Sequence, residues 1–129
     1  MSLLEGFSVF NFNEGAPYVS ITKNGVTFNK GVVLKMKSPA YVLLLINAKE
    51  KQIAIKTCEA DTQNAYQFFV ADKKKEGVYS VRWNQRDLLN TLSEITEWDL
   101  SNESYKVPGV LIQEESAMLF DLQKAEQIS

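Results

Sequence analysis

The spacing of hydrophobic and polar positions changes several times along this chain, and each change predicts an element. Residues 6–13 (GFSVFNFN) set Phe7 and Val9 on one side and Phe10 and Phe12 partly on the other, which predicts a strand buried on at least one face. Glu14-Gly15-Ala16-Pro17 breaks it. Tyr18–Thr22 is a strand of β-branched and aromatic residues. Asn24-Gly25 follows, a dipeptide that favours positive φ and signals a hairpin, and residues 26–28 return as a short strand. Asn29 can cap a helix start. Residues 30–37 then place Val32, Val33 and Met36 on one face at helical spacing. Gly31 and the two valines weaken this helix, and Ser38-Pro39 ends it.

Tyr41–Asn47 is a nearly continuous apolar run, which predicts a strand buried on both faces. Residues 48–51 turn. Gln52–Thr57 alternates, with Ile53 and Ile55 inward and Gln52, Ala54 and Lys56 outward. Cys58 reads as a small buried hydrophobe. In residues 59–72, Ala65, Phe68 and Phe69 suit one face of a short helix capped by Asp61 or Thr62. Residues 73–77 (KKKEG) read as a solvated turn and hinge. Residues 78–83 form a strand. Asn84 is then a helix cap with Asp87 in the first turn, where a negative charge suits the helix dipole. Leu88, Leu89, Leu92 and Ile95 make the amphipathic stripe of that helix, with Trp98 near its end. After a polar loop, Tyr105–Ile112 is a strand interrupted by Pro108-Gly109, hence an edge strand or a bulged one. Residues 114–116 turn, residues 117–122 return as a strand, and the polar tail from Gln123 frays.

The two halves share this layout. Residues 41–57 (YVLLLINAKEKQIAIKT) align in pattern with residues 105–122 (YKVPGVLIQEESAMLFDL). The expected fold is therefore α+β: mostly antiparallel β hairpins with two or three short helices, in two similar β-α-β-β halves packed as one pseudo-symmetric unit. The corresponding divisions are residues 1–17 (N-terminal strand and linker), 18–72 and 73–129, within one compact domain.

Composition narrows the chemistry. The chain has no histidine and one cysteine, so a Ser-His-Asp or Cys-His arrangement and the common structural zinc sites are excluded. No Gly-rich phosphate loop or nucleophile elbow occurs. The acid pairs Asp99 with Glu103 and Glu114 with Glu115 read as solvated carboxylates. The expectation is a protein without catalytic residues, cofactor or metal. The longest apolar run is far short of the roughly 20 residues that span a bilayer, no signal-peptide pattern is visible, and a lone thiol fits a reducing cytoplasm. The net charge of −2 is unevenly spread. Residues 20–57 carry seven lysines and one glutamate, whereas residues 58–129 carry seven bases and thirteen acids. Such asymmetry points to one basic face for an anionic partner.

The order Tyr18–Thr22, Asn24-Gly25, residues 26–28, the helix from Lys30, Tyr41–Asn47 and Gln52–Thr57 resembles the AbrB-type swapped-hairpin family of bacterial DNA-binding and antitoxin proteins. In that family two chains interleave their hairpins, and basic residues in the first turn and near the short helix contact DNA. The resemblance implies DNA contact by Lys23, Asn24, Lys30, Lys35 and Lys37, and a homodimer. This chain has Asn29 where the family often has proline, Met36-Lys37 where it often has Leu-Gly, and no arginine in its basic half. Lysine is a point charge rather than a planar fork, which implies backbone contact with little sequence reading. The expected function is a small cytoplasmic DNA-associated protein, a transcriptional regulator or antitoxin-like partner. The alternative is a protein–protein interaction or assembly module with no nucleic-acid role, using hairpin edges or aromatic surface. Most of Phe7, Phe10, Phe12, Phe68, Phe69, Trp83 and Trp98 read as core, and any left exposed would mark an interface.

Overall fold

Alternating residues make strands the main regular structure of the chain. The computed structural model describes residues 3–6, 15–70 and 79–128, and among these nine strands and two helices occur. β1 (Tyr18–Thr22) and β2 (Gly25–Phe28) form a hairpin that leads into α1 (Lys30–Lys35). β3 (Tyr41–Asn47) and β4 (Gln52–Thr57) form a second hairpin, joined by residues 48–51. β5 (Tyr66–Gln67) and β6 (Val81–Trp83) are short, and α2 (Arg86–Thr96) follows. β7 (Tyr105–Ile112), β8 (Ala117–Asp121) and β9 (Glu126–Gln127) complete the sheet. The order is β5-β3-β4-β8-β7-β1-β2-β6, antiparallel throughout, with β9 pairing the start of β7.

This one curled sheet, a half-barrel, overturns the expected pair of β-α-β-β halves. β1 pairs with β7 and β2 with β6, so the two stretches complete each other's sheet instead of packing as separate units. The cause lies in β7. Its residues 105–108 pair with β1 and its residues 109–112 pair with β8. The change of partner falls at Pro108-Gly109, where proline has no N–H to donate and glycine has no side chain to pack. The interruption is thus a change of partner within an interior strand, neither an edge nor an end.

Other expectations are corrected locally. Residues 59–64 form turns with no helix, and Asn64 stands at φ 68, outside helical space. The chain then joins the sheet as β5, and Phe68 enters the core at 5% exposure. The described helices therefore number two, the lower of the two or three expected. Lys37 lies beyond α1, whose C-cap is Met36. α2 has Gln85, not Asn84, at its N-cap, without a side-chain bond. The expected fraying tail instead makes a 3-10 turn at residues 122–124 and then β9. The expected strand at residues 6–13 and the hinge at residues 73–77 fall outside the described residues.

The concave side of the sheet holds the core. Phe28, fully buried, meets Phe68, Trp83 and Phe120 at ring-centroid distances of 5.3, 4.9 and 5.7 Å. Edge-to-face and tilted pairs of this kind add stability beyond the area they bury. Val32 and Val33 of α1 and Leu89 and Leu92 of α2 join the same cluster. The sheet curls far enough for its ends to touch: Tyr66 of β5 packs edge-on against Trp83 of β6 at 5.2 Å, and the Gln85 amide donates to the Tyr66 hydroxyl.

Candidate functional site

The structure separates the five residues expected at a DNA contact. Lys23 and Asn24 form the two-residue loop of the first hairpin, between the paired Thr22 and Gly25. The turn is therefore Lys23-Asn24. Gly25 begins β2 at φ 144, with the Trp83 carbonyl only 2.7 Å from where a Cβ would stand, so no other residue fits there. Lys30, Lys35 and Lys37 lie at the opposite end of β2. Its four residues rise about 3.3 Å each, which puts the two groups about 13 Å apart. Lys30 leans toward the Tyr79 ring, its Nζ 5.9 Å from the centroid. Only Lys35 and Lys37 are brought to one place.

That place is a cleft of about 480 Å³ between the end of α1 and the turn from β7 to β8. Thr57, Gln113 and Ser116 add two hydroxyls and an amide to its lining, and Met36 and Leu111 add apolar surface. Among the described residues no carboxylate lines it. The wall is fixed by a bond from the Thr57 N–H to the Ser116 carbonyl, 2.9 Å. The helix end uses its own backbone donors: Met36, Lys37 and Ser38 N–H groups donate to the Val32, Leu34 and Val33 carbonyls. Lys37 and Ser38 take positive φ to make these bonds. The donors offered to the cleft are therefore side chains. Just outside, Lys56 Nζ donates to the Glu115 carbonyl at 2.7 Å and to its carboxylate at 3.2 Å.

A second feature lies on the convex side of the sheet. Leu45, Ala54, Leu119 and Val110 stand directly opposite one another across β3, β4, β8 and β7. Leu45 is 46% exposed and Val110 61%. The next row on the same face is Leu43, Lys56, Ala117 and Ile112, so one base borders an otherwise apolar surface. Asp121 and Gln52 pair at the opposite end. The expectation that β3 is buried on both faces is corrected here: its second half is exposed on both, Leu45 on this face and Ile46 on the other. By contrast, the convex side of β7, β1, β2 and β6 is polar, with Lys106, Ser20, Thr27 and Arg82 in one row.

The acid pairs are engaged or exposed. Glu103 accepts from the Asp99 N–H and from the Tyr105 hydroxyl, both at 3.0 Å, while Glu114 and Glu115 sit on an exposed 3-10 turn. Burial, together with the hydrogen bond and negative charge of Glu103, holds the Tyr105 hydroxyl above its usual range. Cys58 is a free, half-buried thiol. Of the aromatic residues, Phe68 and Trp83 are buried and Phe69 and Trp98 half-buried. Phe7, Phe10 and Phe12 fall outside the described residues. Among the described residues no three His, Cys, Asp or Glu side chains are grouped to hold a metal, and no helix is long and apolar enough to cross a membrane.

Comparison of the chain with protein-family models, with curated proteins and with solved structures returned no match. The likeness to the AbrB-type layout rests on the residues quoted for it. Two sets of residues escaped the sequence reading. Leu45, Leu119 and Val110 could have been found: outward Ala54 and a four-residue loop pairing Asn47 with Gln52 put Leu45 opposite Ala54. Thr57, Gln113 and Ser116 had no signal, since only tertiary folding brings them to the end of α1.

Proposed function

We propose that this protein is an assembly module that pairs with a second copy of itself through the convex face of β3, β4, β8 and β7. The observation that carries the reading is the apolar row Leu45, Ala54, Leu119 and Val110, open at both ends. Charge favours a second copy over an unrelated partner. Lys56 stands at one end of the face and Asp121 at the other. A two-fold axis lying in the interface, across the strands, sets the base of each copy toward the acid of the other. Such an axis also stacks the two sheets aligned, an ordinary sheet-on-sheet geometry. Magnitude sets the strength. Four strands about 4.8 Å apart, each giving about five residues, make a flat face on the order of 300 Å². That is the size of a functional patch and well under the roughly 800 Å² per partner of a standard interface, so the dimer is weak, with Kd on the order of micromolar or above.

Sedimentation from about 10 µM to about 1 mM tests this. Wild type is expected to pass from monomer to dimer, and Leu45→Lys or Val110→Lys to stay monomeric with stability within about 0.5 kcal/mol of wild type, both positions being exposed. Monomeric wild type throughout the range defeats the proposal.

A second reading keeps the DNA-associated, AbrB-like role, in which lysines meet phosphate. It is favoured by Lys35 and Lys37 sharing a cleft that no described carboxylate lines. Fluorescence anisotropy of a mixed-sequence duplex checks it. Binding that weakens steeply with salt and is lost when Lys30, Lys35 and Lys37 become Glu supports it, and a flat titration at low salt removes it.

A further inference from the structure

We infer that the outer edge of β3, residues 43–47, is a docking site for a short extended segment of another protein, added to the sheet as one more antiparallel strand. The site lies at the rim of the sheet and does not rest on self-association, with whose face it shares Leu45. β3 has β4 along the whole of one side, whereas β5 on the other side reaches only Tyr41 and Val42. Among the described residues no other strand meets that side. The Cys58 N–H donates to the Tyr41 carbonyl on the β4 side, and the Phe68 N–H donates to the Ala40 carbonyl on the β5 side. Main-chain groups alternate between the two sides of a strand, so Leu44 and Ile46 turn their N–H and C=O groups to the open side. Leu45 and Ile46, on opposite faces, are 46% and 42% exposed. An edge is ordinarily protected from pairing by a charge, a proline or a bulge, and residues 43–47 have none of these.

Register selects the occupant. A second copy uses both outward residues only when Leu45 lies opposite its own equivalent, so that Leu44 meets Ile46. In that register the copy's Ala48, where its hairpin loop begins, falls beside Val42, the position that Tyr66 already fills. Slipping the copy away from β5 leaves only Ile46 opposite Ile46. A single segment with no hairpin loop of its own meets neither obstacle. Five residues, about 17 Å of strand, fit before β5. Their main chain bonds to Leu44 and Ile46, and their side chains lie beside Leu45 on one face and beside Leu44 and Ile46 on the other. Such a surface suits uncharged, β-branched residues. At the open end of the edge, Lys49 and Lys51 flank a single acid, Glu50, so the segment carries an acidic residue just before its strand. This is strand addition, in which main-chain bonds supply affinity and alternate side chains supply selection.

The test is a titration of the full chain with the capped peptide acetyl-Asp-Thr-Val-Ile-Val-Thr-amide, followed by amide NMR and hydrogen exchange. In the free protein the Leu44 and Ile46 amides should exchange fast, and those of Leu43 and Leu45, bonded to β4, slowly. The peptide is expected to shift residues 42–48 saturably and to slow exchange at Leu44 and Ile46. N-methylation of both its valines, whose N–H groups face β3, should weaken binding at least about tenfold, the loss of main-chain bonds. N-methylation of its isoleucine, whose N–H faces away, should leave binding in place. Lysine instead of aspartate should weaken it a few fold. On the protein, Ile46→Pro removes an N–H that no strand uses, so the fold should survive and peptide binding should be lost. The same spectra report folding. Sedimentation of Ile46→Pro should match wild type, so failure of this site and failure of self-association are read separately. Shifts that never saturate, or equal binding of the valine-methylated or the lysine peptide, would overturn the inference. Exchange at Leu44 and Ile46 that slows with protein concentration alone would also overturn it, by giving the edge to a second copy.

Discussion

Single residues set where the segments meet. Asn29 was legible as a helix cap because it stands just before a helical spacing. Its side chain accepts from the Val32 N–H at 3.1 Å, as a cap should. It also accepts from the Tyr18 N–H and donates to the Ala16 carbonyl, and neither bond has a local signal, the partners lying 11 and 13 residues back. Gly31 shows the same limit. By propensity it only weakens α1. In the fold a Cβ there would come within 2.8 Å of the Ala16 carbonyl oxygen and 2.9 Å of the Gly15 carbonyl oxygen. Gly31→Ala sets a helical gain of about 1 kcal/mol against a backbone clash. Backbone atoms cannot swing aside as a flexible side chain can, so the clash should win, with a net loss of about 1–3 kcal/mol. Urea unfolding measures it, and a variant more stable than wild type would show that residues 15–17 give way freely.

At the scale of elements, local periodicity predicted well wherever the element also follows local rules. β3, β4, α2 and the face of α1 fall where the spacing put them. The helix expected in residues 59–72 fails because tertiary contacts outweigh a weak pattern. Phe68 and Phe69 donate their N–H groups to the Ala40 and Pro39 carbonyls, and Phe68 fills space beside Phe28. The link from α2 to β7 carries a pH dependence. Glu97, at φ 65, closes α2, Trp98 stacks on Tyr105 at 4.0 Å, and the Tyr105 hydroxyl donates to Glu103. The folded state thus favours the protonated phenol beyond its ordinary value of 10.0. The stability this supplies is complete below that value and is lost as pH rises through the higher folded one. Absorbance titration of the tyrosines should show one late component that Tyr105→Phe removes. An unchanged late component would assign it to another tyrosine.

For the molecule as a whole, the sequence could show hairpins but not which hairpins adjoin. Strand neighbours are chosen by long-range closure, and nothing within residues 18–28 announces that their partners are residues 81–83 and 105–108. The outer face was misjudged for a related reason. A run as apolar as residues 41–47 looks doubly buried until the fold shows Leu45 and Ile46, on opposite faces, both exposed. The basic segment was read correctly as composition, but not as a surface, since β2 holds its two ends apart.

The place of β7 between β1 and β8 also has a consequence in time. A ribosome delivers both early hairpins well before β7, the strand that lies between β1 and β8. Until residues 105–121 emerge, β1 and β4 each hold an edge of main-chain donors and acceptors with no native neighbour. The nascent chain therefore cannot bank its first half as a finished unit. It completes its native sheet only once β7 and β8 have emerged, and its early strands, Leu45 among them, are the part a chaperone would meet.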